Sequence, residues 1–187
     1  SFFMFAPMSV AIAASAQREF RWAANPEGGA PFVEADPTRP DRVVGFDVEI
    51  AEIIAQGLNR SATFLNVAFT SIDQSIERDD AEIGLGGIED TPARRATMAP
   101  TVPYYRFREV LSVRDTDASR FRTLADLRGR RIGTLGGTIA YEILLRAERD
   151  FGVKVVSYDD DVHPYTDLII GRVDAVLLDN VLAERRR

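Results

Sequence analysis

The 187-residue chain has no cysteine, one lysine (Lys154), one histidine (His163) and one tryptophan (Trp22). Without cysteine there is neither a disulfide framework nor a thiolate metal site, and the redox compartment leaves no mark on the sequence. The single histidine has no nucleophile beside it and no zinc-type partner in sequence, so the reading is a surface or helix-end residue rather than a triad member or metal ligand. Positive charge is scarce as well: Lys and Arg number 23 against 29 Asp and Glu, for a net charge of −6. A broad basic face for nucleic acid is thereby excluded, although a local anion site is not. The acidic run Asp159, Asp160 and Asp161 lacks the spaced ligands and the glycine of a calcium loop, so a solvated turn is expected. No metal, no cofactor and no catalytic residue are expected.

What is present suits a packed α/β protein. With 45% hydrophobic residues the chain can bury a core as one domain or two small lobes. Residues 1–17 (SFFMFAPMSVAIAASAQ) are uncharged, apolar for about the first dozen positions, and end in Ala14, Ser15 and Ala16. The run is shorter than the ~20 residues of a membrane span and is interrupted by Pro7. It reads as a signal-peptide core with its cleavage site, a remnant over 1–16 without basic leader or initiating Met, with the mature protein starting near Gln17.

Periodicity then predicts alternating strands and helices. Strands are expected at 20–24, 62–68, 81–85, 109–113, 130–135, 153–158 and 173–178. Helices are expected from Asp47 to Leu58, with Asp47 as its cap, and at 71–78, 123–127, 138–149 and 165–170, the last ended by Gly171. The segment 34–42 (EADPTRPDR) reads as a loop. Strands alternating with helices imply a parallel sheet, and the strand at 109–113 leaves the first lobe.

Two glycine loops follow strands and precede helices. In GLGGIEDTPARR (84–95), Thr91 is a good N-cap and Pro92 suits the first helical position, which places Arg94 in the first turn. A cation there opposes the helix dipole at a cost of about 0.3–1 kcal/mol, a sign that a bound anion reverses. The alternative is that Arg94 or Arg95 pairs with Glu89 or Asp90. GTLGGT (133–138) offers backbone N–H groups and the Thr138 hydroxyl at another helix start, without a P-loop's trailing Gly-Lys-Ser/Thr. Asp179 ends a buried strand, where it could hold an ammonium group or cap a helix starting after it. Phe69, just past a strand end, is core or a stacking platform.

These stretches, together with Ala30-Pro31-Phe32, GFDVEIAEIIA (45–55), VPYY (102–105), TLADLRGRRIGTLGGT (123–138) and GRVDAVLLD (171–179), resemble the extracytoplasmic polar-amino-acid-binding proteins of ABC importers. The resemblance implies the two-lobe, type II periplasmic-binding-protein fold, with lobe 1 over 17–110, an incomplete lobe 2 over 111–187, and the C-terminal part of the domain, with its return segment to lobe 1, missing. It implies that Arg94 clamps a ligand α-carboxylate, assisted by backbone near Gly87 and by Thr138, that Asp179 takes the α-ammonium, and that Phe69 forms an aromatic wall. Glu89 falls where many members carry a hydroxyl residue, which points to reading the ammonium or a cationic side chain. Asn25 stands where an acid is frequent, and Gly28-Gly29 occupy the region of a second aromatic wall. The implied function is capture of an amino acid in the cleft by a monomeric, exported periplasmic receptor, free, tethered or permease-fused, that delivers it to membrane permease subunits. Alternatives on the same scaffold are an exported cyclohexadienyl dehydratase-like enzyme, with Glu89 as its acid, and the ligand-binding domain of a sensor or permease-fused protein.

Overall fold

The computed structural model describes residues 18–27 and 31–185; the expected signal-peptide remnant and Gly28-Gly29 lie outside the described residues. In chain order the strands and helices are β1 (Glu19–Ala24), β2 (Glu34–Asp36), β3 (Arg39–Val44), α1 (Phe46–Gly57), β4 (Ser61–Asn66), α2 (Ile72–Glu77), β5 (Ile83–Gly84), α3 (Pro92–Thr97), β6 (Glu109–Val113), β7 (Arg131–Leu135), α4 (Ile139–Phe151), β8 (Lys154–Tyr158), α5 (His163–Ile169), β9 (Ala175–Asp179) and α6 (Asn180–Arg185). Short 3₁₀ turns lie at Phe69–Ser71, Asp115–Asp117 and Leu124–Leu127.

Two sheets carry the architecture. The first is parallel, in the order β4-β1-β5, with Trp22 opposite Phe64 on one side and Ile83 on the other. The second has the order β6-β9-β7-β8, parallel except for β6, which runs antiparallel to β9. Apolar side chains on β1 and one face of α1 close the first core around Phe20, Trp22, Val33, Ala51, Ala55 and Leu85. In the second sheet, Ile132, Leu144 and Ala147 pack on one face, and Leu135, Tyr165, Val176 and Leu178 on the other. Covered on both faces, β9 reads as a continuous apolar run from Ala175 to Leu178, as buried parallel strands do.

The structure corrects several sequence expectations. Segment 34–42 is part of a hairpin, β2 against β3, and not a loop. Its turn is held by Asp36, whose Oδ1 accepts from Thr38 N (2.8 Å), Thr38 Oγ1 (2.7 Å) and Arg39 N (3.2 Å). These hydrogen bonds hold the Asp36 carboxyl down at about 2. The strand expected at 81–85 shrinks to Ile83–Gly84, because only Trp22 and Ala23 of β1 lie beside it. Glu109 and Val110, assigned by sequence to the first lobe, already pair with β9 in the second sheet.

The largest correction concerns Asp47. It is not the cap of α1: that place belongs to Gly45, whose φ of 133° favours glycine and whose added Cβ would stand 2.2 Å from the Phe32 carbonyl oxygen. Asp47 is instead fully buried, and its Oδ2 accepts the Gly86 N–H at 2.7 Å, tying α1 to the glycine loop after β5. Burial raises its pKa, partly offset by hydrogen bonds that include those from Tyr104 and the backbone of Gly86 and Gly87. Replacing Asp47 by Ala strands the half-buried Gly86 donor, so denaturant unfolding should report a loss of about 1–3 kcal/mol.

Candidate functional site

Both sheets point the C-terminal ends of their central strands at one region, as ligand sites of open α/β sheets do. From the first sheet come Asn25 after β1 and the loop 84–91 after β5. From the second come Gly136 and Gly137 after β7, and Asp179 at the end of β9.

Arg94 is placed by α3. Thr91 is the N-cap, its Oγ1 accepting from Arg94 N at 3.2 Å, and Pro92 opens the helix. The guanidinium then reaches four groups. Its Nε donates to both oxygens of Asp73 on α2 (3.3 and 3.0 Å), Nη1 to the Glu89 carbonyl and Oε2 (both 3.0 Å), and Nη2 to the Gly137 carbonyl at 3.2 Å. Its carbon sits 5.9 Å from the centroid of the Phe69 ring. Arg95 by contrast is exposed and pairs with Asp90 at the surface.

Glu89 is buried, with only 8% of its surface exposed. Its Oε2 faces Arg94, and its Oε1 accepts the N–H of Ile139, the first residue of α4, at 3.2 Å. A single carboxylate thus bridges the guanidinium of one sheet's loop and the helix start of the other. Burial raises its pKa, and hydrogen bonds from its own backbone, Ile139 and Arg94 act in the opposite direction. Thr138 is turned inward: its hydroxyl donates to the Leu135 carbonyl (2.7 Å) and caps α4 by accepting from Tyr141 N (3.2 Å).

Asn25, Phe69, Gly87, Glu89, Thr138 and Asp179 surround one cavity. Arg94 lies behind Glu89, lining the neighbouring groove. Phe69 is half-buried and packs against both the Leu135–Leu178 and the Ala23–Ile72 clusters, so it is core and cavity wall at once. Asp179 also has both roles, since it lines the cavity while its Oδ1 accepts from Val181 N (2.8 Å) and Leu182 N (3.0 Å) at the start of α6. His163 is exposed at the start of α5, paired with Asp160 through Nδ1 at 2.5 Å.

Sequence reasoning missed the carboxylates on the far side. Glu27, Glu109, Asp160 and Asp161 also face the cavity, and among the described residues its lining contains no Lys or Arg. Glu109 sits directly opposite Asp179 in the β6–β9 register, with its Oε2 buried and, among the described residues, without a hydrogen-bond partner. Burial first, then the charges of Asp179 and Glu89, push its pKa up to about 7. Only strand register reveals this pair; in sequence Glu109 is one more acid among many.

The family model for bacterial extracellular solute-binding proteins, family 3, matches residues 24–180. The chain belongs to that family. It is 32% identical over 143 residues to ABC transporter arginine-binding protein 1 of Escherichia coli K12, and 29% identical over 142 residues to the L-cystine-binding protein TcyJ of the same organism. Both matches cover 76% of this chain but only 56% and 53% of those proteins, so the chain spans little more than half of their length. Among solved structures, an ancestral arginine-binding protein bound to arginine superposes with a TM-score of 0.83 at 25% identity, covering 91% of this chain and 74% of that one. The fold is the two-lobe, mixed α/β fold of periplasmic binding proteins.

The elevated pKa of Glu109 sets a stability window. A carboxyl held near 7 in the folded protein but near 4.3 when unfolded keeps an extra proton on folding, so stability falls as pH rises from about 4 to 7. Glu109→Gln removes that penalty. Its melting temperature should exceed wild type by roughly 5–10 °C at pH 8 and match it at pH 4, read by calorimetry.

Proposed function

We propose that the chain is the ligand-capturing part of a periplasmic amino-acid receptor of an ABC importer. The observation that carries this is the Glu89 carboxylate itself, held between Arg94 Nη1 at 3.0 Å and Ile139 N at 3.2 Å. The two walls together already form a carboxylate cradle, made from a guanidinium and the N–H of a helix start. Across the cavity, Asp179 and Glu109 form an acidic wall without a basic neighbour among the lining residues, suited to an ammonium group. Carboxylate at one end and ammonium at the other is the charge layout of an α-amino acid. Phe69 and Asn25 lie where they would flank its side chain, and the excess of carboxylates favours a basic one, in keeping with the arginine-binding relatives.

In this reading residues 1–16 belong to an export signal, residues up to 108 contribute the first lobe, and residues from Glu109 onward contribute the second. The receptor works as a monomer and hands its ligand to membrane permease subunits. Binding rather than catalysis is supported by the curated relatives, which are named as binding proteins.

Arginine titrated calorimetrically into the full-length protein should bind. Arg94→Lys, which keeps the charge but loses the planar fork, should weaken binding at least about 100-fold with the circular dichroism unchanged. Undiminished affinity in that variant would remove the assignment.

A further inference from the structure

The cradle proposed for the ligand's carboxylate is filled by the chain's own. The Glu89 side chain is 6% exposed, and it draws on both groups a ligand carboxylate would need. Arg94 has little left to offer: Nε is taken by Asp73, Nη1 by the carbonyl and carboxylate of Glu89, and Nη2 reaches the Gly137 carbonyl. The guanidinium already carries the Asp73 and Glu89 carboxylates, so a ligand's would be a third negative group there, repelled by both unless Glu89 leaves.

We infer that Glu89 is an internal competitor for the ligand's carboxylate, a built-in occupant that holds the unliganded cleft closed and that an incoming amino acid must displace. The inference rests on Arg94 as the carboxylate clamp. The same side chain forms two links across the cleft: it bonds Ile139 N directly, and it orients Arg94 toward the Gly137 carbonyl. Removing it therefore affects closure and affinity in opposite senses.

Displacement also selects the ligand. A released Glu89 swings toward a cavity that already holds Glu109 and Asp179, and the charges of Glu89 and Asp179 already bear on Glu109. That movement is favourable only when the ligand brings positive charge into the cavity along with its carboxylate. A plain carboxylic acid has none, whereas an amino acid has its ammonium, and a basic amino acid has more.

The test uses the full-length protein with Glu89→Ser and Glu89→Gln, arginine and glutamine as probes, and two measurements. Calorimetry should show the Kd of both probes falling by about tenfold or more in the Ser variant, equivalent to the ~1.4 kcal/mol of a displaced competitor. A Kd that stays the same or rises in both variants overturns the inference and makes Glu89 an ammonium-reading residue. Small-angle scattering without ligand should show a compact wild type and an expanded Ser variant; equal radii of gyration overturn the closed-state role. Arg94→Lys in each background separates the two claims. If it abolishes binding while Glu89→Ser fails to tighten it, only the present inference falls. If it leaves binding intact, the reading of the clamp falls first.

Discussion

A carboxylate buried between two sheets must be supplied with donors, and the organisation of this molecule follows from how Glu89 obtains them. One donor is a guanidinium at the start of a short helix and the other is the first free N–H of a long one. To bring them within 3.2 Å of one side chain, a glycine loop must sit at the end of β5, and another at the end of β7, with the two loops facing. Asp47 secures the first of these by binding Gly86 from the core of α1. Thr138 secures the second by capping α4 from within. Ion pairs such as Arg95 with Asp90 and Arg146 with Glu142 lie at the surface, where water screens them.

Much of this layout was legible in the sequence. Helix periodicity, glycine stops and the Thr-Pro start of α3 are local signals, and local signals survive folding: α4 differs from its expected span by a residue or two, and Thr91 caps Arg94 as its spacing suggests. What local reading assigned wrongly was decided across the chain. Asp47 looks like a cap because acids commonly start helices, yet its partner is 39 residues away. The 34–42 hairpin was obscured by two prolines: Pro37 sits in the turn, and β3 tolerates Pro40 because it pairs on one side only.

The site divides along the same line. Arg94, Asp179 and Phe69 could be named from motif and position; Asp179 and Phe69 line the cavity, and Arg94 lines the groove beside it. Of the two alternatives posed for Arg94, the structure shows the pairing with Glu89. Glu109 was invisible because its meaning comes from register: it matters as the residue opposite Asp179, and no sequence spacing encodes an antiparallel partner across an intervening βαβ unit.

That register also orders events in time. Within the second sheet, β7 meets β8 across one helix and β9 across two, whereas β6 must wait for β9 with all of β7, α4, β8 and α5 between them. Loop-closure entropy makes β6 the strand of highest contact order and therefore a late arrival. The Glu109–Asp179 repulsion falls on that same late step, so the sheet completes itself by its least local and least electrostatically favourable contact. A rise in pH that ionises Glu109 thus weighs on the final docking of β6 and leaves the nucleation of the sheet unaffected.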